Sequence, residues 1–149
     1  MILEGIAMLC VDVNVLVHAA NRSSPRHHSV REWLTAVLES PEPVLIPDAV
    51  ATGFIRIVTN SRIMQSPLHS DDAFALVDWI LAHSRAAPLA GDALTRVAFR
   101  EFVSSLALRG NDISDAWIAA TATASNATLV TFDRGFRRFP GLRVIEPAI

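Results

Sequence analysis

The sequence of 149 residues contains no lysine, and all 13 of its basic residues are arginine. Mechanisms that depend on a lysine side chain are therefore excluded, which removes P-loop NTPases, protein kinases, Schiff-base enzymes and Ser–Lys hydrolases. Haloacid-dehalogenase-type phosphatases and receiver domains are disfavoured for the same reason, since both carry a lysine beside their aspartates. A chain without lysine can still be a hydrolase of another kind or a binding module.

Cysteine is nearly absent as well, because Cys10 is the only one in the chain and cannot form an internal disulfide. No signal peptide or membrane segment is expected, since Glu4 and Asp12 interrupt the apolar N-terminus and no basic residue precedes it. Together these features favour the reducing cytoplasm. A zinc site is disfavoured, because the five histidines do not stand at ligand spacings.

Hydrophobic residues make up 51% of the chain and charged residues 19%, which predicts a globular protein with heavily buried elements. We expect one domain over residues 1–149, with 1–7 as a loose extension and Met8 as an alternative start. Short apolar runs alternate with segments of helical periodicity, which predicts an α/β fold: a three-layer, Rossmann-like arrangement with a mainly parallel sheet between helices. Strands are predicted at 9–11, 44–46, 87–90, 128–132 and 142–145, and helices near 25–38, 48–59, 70–81, 92–108 and 115–125.

Three caps and one core residue are part of this prediction. Ser24, followed by Pro25, is expected to begin the first of these helices, Ser70 to cap the helix over 70–81, and Ser114 to cap the helix that begins at Asp115. The apolar spacing of the helix over 70–81 places Phe74 in the core. Cys10, Trp33 and Trp79 are also interpreted as core residues.

Asp12 and Asp133 each follow an apolar strand, and the carboxyl ends of parallel strands line the ligand crevice in such folds. Asp115 stands in the first turn of a helix whose alanines allow a close approach to the sheet, which would bring it towards Asp12. Each aspartate has a structural alternative, as a helix cap or a turn former. For Asp12 taken alone, the sequence supports a functional role and a purely structural role equally. For Asp133, the sequence supports the role of turn former more strongly.

Three converging carboxylates would repel one another and take up protons without a counter-charge. A hard divalent cation resolves this repulsion, and oxygen-only ligands suit Mg²⁺ or Mn²⁺. Such a cation, alone or as a pair, can activate water and neutralise charge on a phosphodiester.

Four segments of the chain resemble the ordered motifs of PIN-domain ribonucleases, most closely the VapC-type toxins of toxin–antitoxin pairs. They are DVNVLVHA at 12–19, GFIRIVTN at 53–60, GNDISDAWIAA at 110–120, and TFDRGF at 131–136 followed by RFPGL at 138–142. Each motif is weak alone, but the four occur in order over nearly the whole chain.

The resemblance implies a metal-dependent endoribonuclease that forms a homodimer and is covered at its active site by a VapB-type antitoxin. In this picture Asp12 and Asp115 hold Mg²⁺, Asp133 completes the acidic cluster, and Asn14 orients the Asp12 carboxylate or a water on the metal. Related toxins cut structured RNAs, so tRNA is the substrate class that the resemblance implies.

The sequence departs from the family pattern at Gly53, where PIN nucleases commonly carry a glutamate. Asp112 or Asp48 are candidates to supply the missing charge. The departure motivates an alternative, a catalytically degenerate PIN domain that acts as a binding scaffold. A phosphatase with Asp12 as nucleophile is a more distant alternative, because Asn14 replaces a second aspartate and lysine is absent.

The net charge of −2 means that RNA binding would depend on local arginine patches. Arg134 and Arg137 follow Asp133, and Arg56 lies in the second motif. We expect these three to contact RNA, with solvated surface arginines or antitoxin contacts as the alternative.

Overall fold

A computed structural model of the chain describes residues 7–149. The expected loose extension over 1–7 therefore lies outside the described residues except for Ala7, which is partly buried and packs against the core. No helix in the described part is both long enough and apolar enough to span a membrane.

The described residues form one sheet of five parallel strands in the order β3-β2-β1-β4-β5. The strands are β1 (Leu9–Val11), β2 (Val44–Pro47), β3 (Ala86–Leu89), β4 (Thr128–Val130) and β5 (Arg143–Ile145). The central strand β1 is buried along its whole length, which explains its unbroken apolar sequence. In the register of β1 and β4, Val11 pairs with Val130, so the chain leaves both strands at the same edge.

Helices connect the strands and cover the sheet, which confirms the predicted parallel α/β architecture. They are α1 (Val13–Ala20), α2 (His27–Leu38), α3 (Asp48–Val58), α4 (Ser70–Leu81), α5 (Ala93–Ser105) and α6 (Asp112–Ala124), with a short 3₁₀ helix at Arg134–Arg138. The alanine-rich face of α6 is buried as predicted, with Ala116, Ala119, Ala120 and Ala122 fully covered.

Several predicted helix starts are wrong by a few residues. Helix α2 begins at His27, because the Ser24 hydroxyl accepts from the Arg26 N–H (3.1 Å) and so closes a turn ahead of the helix. The cap of α4 is His69, whose Nδ1 accepts from the Asp71 N–H (3.2 Å), and Ser70 is the first helical residue. Helix α6 begins at Asp112 after Asn111, so Ser114 lies inside its first turn.

Three further predictions need correction. Phe74 is 50% exposed, and α4 instead packs Ala73, Leu76, Val77 and Ile80 into the core. Trp33 and Trp79 are only partly buried, although both pack against the core, and Trp79 also lines a surface cavity. Strand β4 ends at Val130, two residues early, because the Phe132 N–H leaves the strand ladder and donates to the side chain of Asn14 (3.3 Å).

Candidate active site

Asp12 stands at the junction of β1 and α1 and is 5% exposed. It is the N-cap of α1, and its Oδ1 accepts from the Val13 N–H at 2.7 Å. Asp12 therefore does serve as a helix cap, but this role uses only one of its carboxylate oxygens. Burial raises the pKa of the Asp12 carboxyl, hydrogen bonds from Thr131 and Val13 lower it, and the charge on Asp133 raises it again.

The second oxygen of Asp12 belongs to a hydrogen-bond network centred on Thr131, a residue that is 1% exposed. The Thr131 hydroxyl donates to Asp12 Oδ2 at 2.7 Å and accepts from Asn14 Nδ2 at 3.1 Å and from the Asp133 N–H at 3.0 Å. Asn14 also donates to Asp12 Oδ2 at 3.3 Å. One threonine thus joins the residues that follow β1 to those that follow β4.

Asp133 follows β4 and caps the 3₁₀ helix, with its Oδ1 accepting from the Gly135 N–H at 2.8 Å. This is the turn-forming alternative considered for the residue. Asp133 is exposed, and its charge raises the pKa values of both Asp12 and Asp115. It therefore lies close enough to both carboxylates for the three charges to interact.

Asp115 lies in the first turn of α6 with its side chain 32% exposed. Burial raises the pKa of the Asp115 carboxyl, and the charges of Asp12, Asp133 and Asp112 raise it further. Only the guanidinium of Arg138 opposes these effects, at 3.6 Å from Asp115 Oδ2 and 3.4 Å from Asp112 Oδ1. Residues 103 positions apart in the sequence, Asp12 and Asp115, thus share one electrostatic site.

An open cavity of about 820 Å³ lies over this site. Asp12, Asn14, Asp115 and Asp133 line its polar end, and its apolar wall includes Val17, Ile57, Phe99, Ile113 and Trp117. Gly53 also lines the cavity, and a Cβ there would lie 3.2 Å from Val13 Cγ2. The position that commonly carries a glutamate therefore faces the acidic end and has little spare room.

The three arginines that were predicted to bind RNA differ in their position relative to the cavity. Arg56 lines the cavity, whereas neither Arg134 nor Arg137 is among its lining residues. Arg134 instead faces Glu146 at 3.4 Å, and Arg137 is exposed to solvent. Asp112 reaches Arg138, and Asp48 is exposed outside the cavity lining.

The donor set of this site fits a divalent cation, although its geometry is not assembled. In residues 7–149 no three side chains of the types histidine, cysteine, aspartate or glutamate stand close enough together to hold a metal ion. Asp12 is turned towards Thr131 and Val13, and Asp133 towards Gly135. Burial and neighbouring carboxylates raise the pKa values of Asp12 and Asp115, and a hard cation with carboxylate and amide oxygens around it would offset both effects.

Two residues of the site were missed in the sequence. Thr131 could have been found from strand register, because pairing of Val11 with Val130 places Asp12 opposite Thr131. Arg138 begins the RFPGL segment of the fourth motif, but nothing in the sequence indicates that it reaches α6, which it does only through the fold.

Comparisons with known proteins give consistent matches. The family model described as PIN domain matches residues 9–142. Ribonuclease VapC43 of Mycobacterium tuberculosis is 44% identical over 140 residues, which cover 94% of this chain and 95% of the relative, and Ribonuclease VapC25 of the same species is 34% identical over 95% of this chain and all of the relative. The solved structure of VapBC2 from Rickettsia felis, bound to a DNA fragment from its promoter, superposes with a TM-score of 0.70 and 24% identity, covering 93% of this chain and 98% of that one.

Proposed function

The chain belongs to the PIN-domain family, among the VapC ribonucleases, and we propose that it is a Mg²⁺-dependent endoribonuclease toxin acting on structured RNA such as tRNA. The observation that carries this proposal is that Asp12, Asp115 and Asp133 line one cavity, where burial and then neighbouring carboxylate charges raise the pKa values of Asp12 and Asp115. Carboxylates placed together in this way repel one another when no counter-charge is present, and a bound cation would stabilise them.

Asp12 and Asp115 would hold the cation, and Asp133 would complete the acidic cluster. When bound, Mg²⁺ would supply positive charge against the phosphodiester and lower the pKa of attacking water. Thr131 and Asn14 fix the second carboxylate oxygen of Asp12, so the ligand from β1 is oriented before any cation arrives. In the hydrolysis itself, a water oxygen would form a new bond to phosphorus while one phosphorus–oxygen bond of the RNA breaks.

The relatives' names and the neighbouring complexes support a VapB-type antitoxin as partner. Its C-terminal segment would cover the acidic cavity, and the apolar wall with Phe99 and Trp117 offers a surface for it. We further propose that the chain acts as a homodimer and as one domain, with Mn²⁺ able to replace Mg²⁺.

The experiment compares RNA cleavage by the wild type with cleavage by Asp12→Asn, Asp115→Asn and Asp48→Asn. Total tRNA is incubated with each protein in Mg²⁺ and, separately, in excess EDTA. We expect the first two variants and the EDTA sample to lose activity by about 100-fold or more, since the cation contributes several kcal/mol to such reactions. Asp48→Asn is the matched control, because Asp48 also follows a strand but is exposed and does not line the cavity.

Equal cleavage by wild type and Asp12→Asn, or cleavage that survives EDTA, would overturn the proposal. Calorimetry with Mg²⁺ and Mn²⁺ separates the alternative function. A scaffold that has lost catalysis would show no cleavage and no cation binding that depends on Asp115.

A further inference from the structure

A second surface cavity, of about 770 Å³, lies beside α1, α2 and α4 and has no part in the acidic site. It is bounded by the end of α1, the first turns of α2 and α4, and residues 66–68 before α4. Five of its lining side chains are basic or can become so, and one is acidic. They are Arg22, His27, His28, Arg31 and His69, with Asp72 as the acid.

The topology places this second cavity towards the same edge of the sheet as the acidic site, namely the edge at the carboxyl ends of the strands. Helices α2 and α4 lead directly into β2 and β3, so in a parallel sheet their first turns lie towards the carboxyl edge of the strands. No residue among 7–149 lines both cavities, but contacts of His18 connect the acidic cavity with the loop of residues 21–26. His18 lines the acidic cavity, packs edge-on against Phe132 (ring centroids 5.3 Å) and contacts Ser24 at 2.7 Å, within the loop that borders the second cavity.

The electrostatics of the second cavity favour an anion. The first turn of α2 contains no acidic residue, and the cap of α2 makes no side-chain hydrogen bond, so the positive end of this helix is not neutralised locally. Arg31 lies over the Trp79 ring at 4.9 Å, which holds its guanidinium beside the cavity. In the loop of residues 21–26, Arg26 lies over the Phe132 ring at 4.2 Å, beside the contact of that ring with His18.

The acidic groups at this cavity are fewer than the basic ones, and neither Glu32 nor Asp71 is among its lining residues. Glu32 contacts His28 at 3.2 Å, and Asp71 contacts His69 at 3.5 Å. Asp72 alone faces the cavity as an acid, against the two permanent charges of Arg22 and Arg31. The lining is therefore net positive in a chain whose total charge is −2.

We propose that this second cavity binds the phosphodiester backbone of the RNA strand as that strand leaves the acidic site. Arg22, Arg31 and the first turn of α2 would contact phosphates, and Arg26 with Phe132 would guide the strand between the two cavities. The inference rests on the proposed ribonuclease function and extends it. It explains how a chain of negative net charge holds a polyanion whose cleaved bond sits among carboxylates, because the attraction is supplied away from the point of cleavage.

The test uses the double variant Arg22→Gln/Arg31→Gln with Arg96→Gln/Arg100→Gln as its control. The control removes the same two charges from exposed positions on α5. Binding of fluorescently labelled tRNA is followed by anisotropy in EDTA, between about 50 and 200 mM salt, so that cleavage does not interfere. We expect the test variant to bind about tenfold more weakly, with a log–log salt slope shallower by about 1.4, as for two lost contacts to a single strand. The control should bind like the wild type.

Cleavage in Mg²⁺ gives a second readout. A short oligonucleotide that spans only the cleaved bond should be cut equally by the wild type and the test variant, whereas tRNA should show a raised KM with an unchanged kcat. Equal tRNA binding by test variant and wild type overturns the inference, as does loss of cleavage of the short substrate. Weakened antitoxin binding with unchanged tRNA binding also overturns it, because the cavity is then a protein contact. Failure of the wild type to cleave any RNA would instead count against the proposed function.

Discussion

The two sides of the acidic site are built very differently. On the strand side, Asp12 and Thr131 are buried, and a network of contacts of 2.7 to 3.3 Å joins them with Asn14 and Asp133. On the helix side, Asp112 and Asp115 are 54% and 32% exposed and meet only Arg138, at 3.4 and 3.6 Å. One side is fixed by hydrogen bonds, and the other is balanced by two longer ion pairs that share one arginine.

This difference indicates how the site is organised. The strand side is held by hydrogen bonds, because both carboxylate oxygens of Asp12, the Thr131 hydroxyl and the side-chain amide of Asn14 have partners. On the helix side Arg138 offsets the charge of Asp115 only in part, and the described residues contain no preassembled metal-binding group. A cation would therefore bind between a rigid strand side and an adjustable helix side, with little rearrangement of the core.

Replacing Thr131 by valine should break the rigid side and give the largest effect on stability. The change keeps the shape of the side chain but removes the donor to Asp12 and the acceptor for Asn14 and for the Asp133 N–H. We expect the free energy of unfolding in urea to fall by about 2 to 4 kcal/mol, since a buried carboxylate loses a charge-assisted hydrogen bond.

The matched control for this variant is Thr123→Val on α6. The Thr123 hydroxyl is buried and has no hydrogen-bond partner within residues 7–149. Its removal should change the free energy of unfolding by less than about 0.5 kcal/mol, or stabilise the protein slightly. A comparable loss in both variants would mean that the Thr131 network contributes nothing beyond packing.

Asp115→Asn should stabilise the cation-free protein, in contrast to the first variant. Burial and neighbouring charges raise the pKa of Asp115 in the folded state above 3.8, so the folded protein binds this proton more tightly than the unfolded chain. Ionisation therefore destabilises the fold as pH rises above that ordinary value, and the penalty is complete above the raised pKa. Because the side chain is partly exposed, the gain at neutral pH should be less than about 1 kcal/mol.

The measurement is the free energy of unfolding of wild type and Asp115→Asn in EDTA between pH 3 and pH 8. The two proteins should agree at the acid end, where the wild-type carboxyl is protonated, and separate as pH rises. Adding Mg²⁺ should reverse the order, because only the wild type retains the ligand. A variant that is less stable than the wild type at neutral pH in EDTA would contradict the proposed charge repulsion.

The strand side was also the more predictable side. The apolar runs before Asp12 and Asp133 predicted parallel strands that end at one edge, and the fold confirms that arrangement. Periodicity of that kind reflects burial, and burial is strongest in the centre of a parallel sheet. The alanines of α6 predicted a close approach to the sheet because small side chains let a helix lie near the surface that it covers, and four of them are fully buried.

The helix side was harder to predict because its contacts depend on long side chains and on where helices begin. Arg138 reaches Asp115 across 23 positions of sequence, whereas the two neighbours that were predicted to contact RNA do not line the acidic cavity: Arg134 faces Glu146, and Arg137 is exposed. Phe74 fitted an apolar stripe yet is half exposed, since a stripe shows which residues share a face but not where the buried face ends. Caps such as His69 escape prediction because an imidazole nitrogen is an uncommon acceptor there.

The smallest expected effect concerns Arg138, the only basic side chain among residues 7–149 that forms ion pairs on the helix side of the site. Arg138→Met removes the guanidinium but keeps a long apolar side chain over Phe139, where the guanidinium now lies 4.9 Å from the ring. If Arg138 and a divalent cation compete for Asp115, the variant should bind Mg²⁺ about two- to threefold more tightly in calorimetry, equivalent to the roughly 0.5 kcal/mol of an exposed ion pair. Arg137→Met, which removes an exposed charge from the adjacent position, should bind like the wild type. Weaker binding by Arg138→Met would show that the arginine holds Asp115 in place for the cation, and the helix side would then be as preorganised as the strand side.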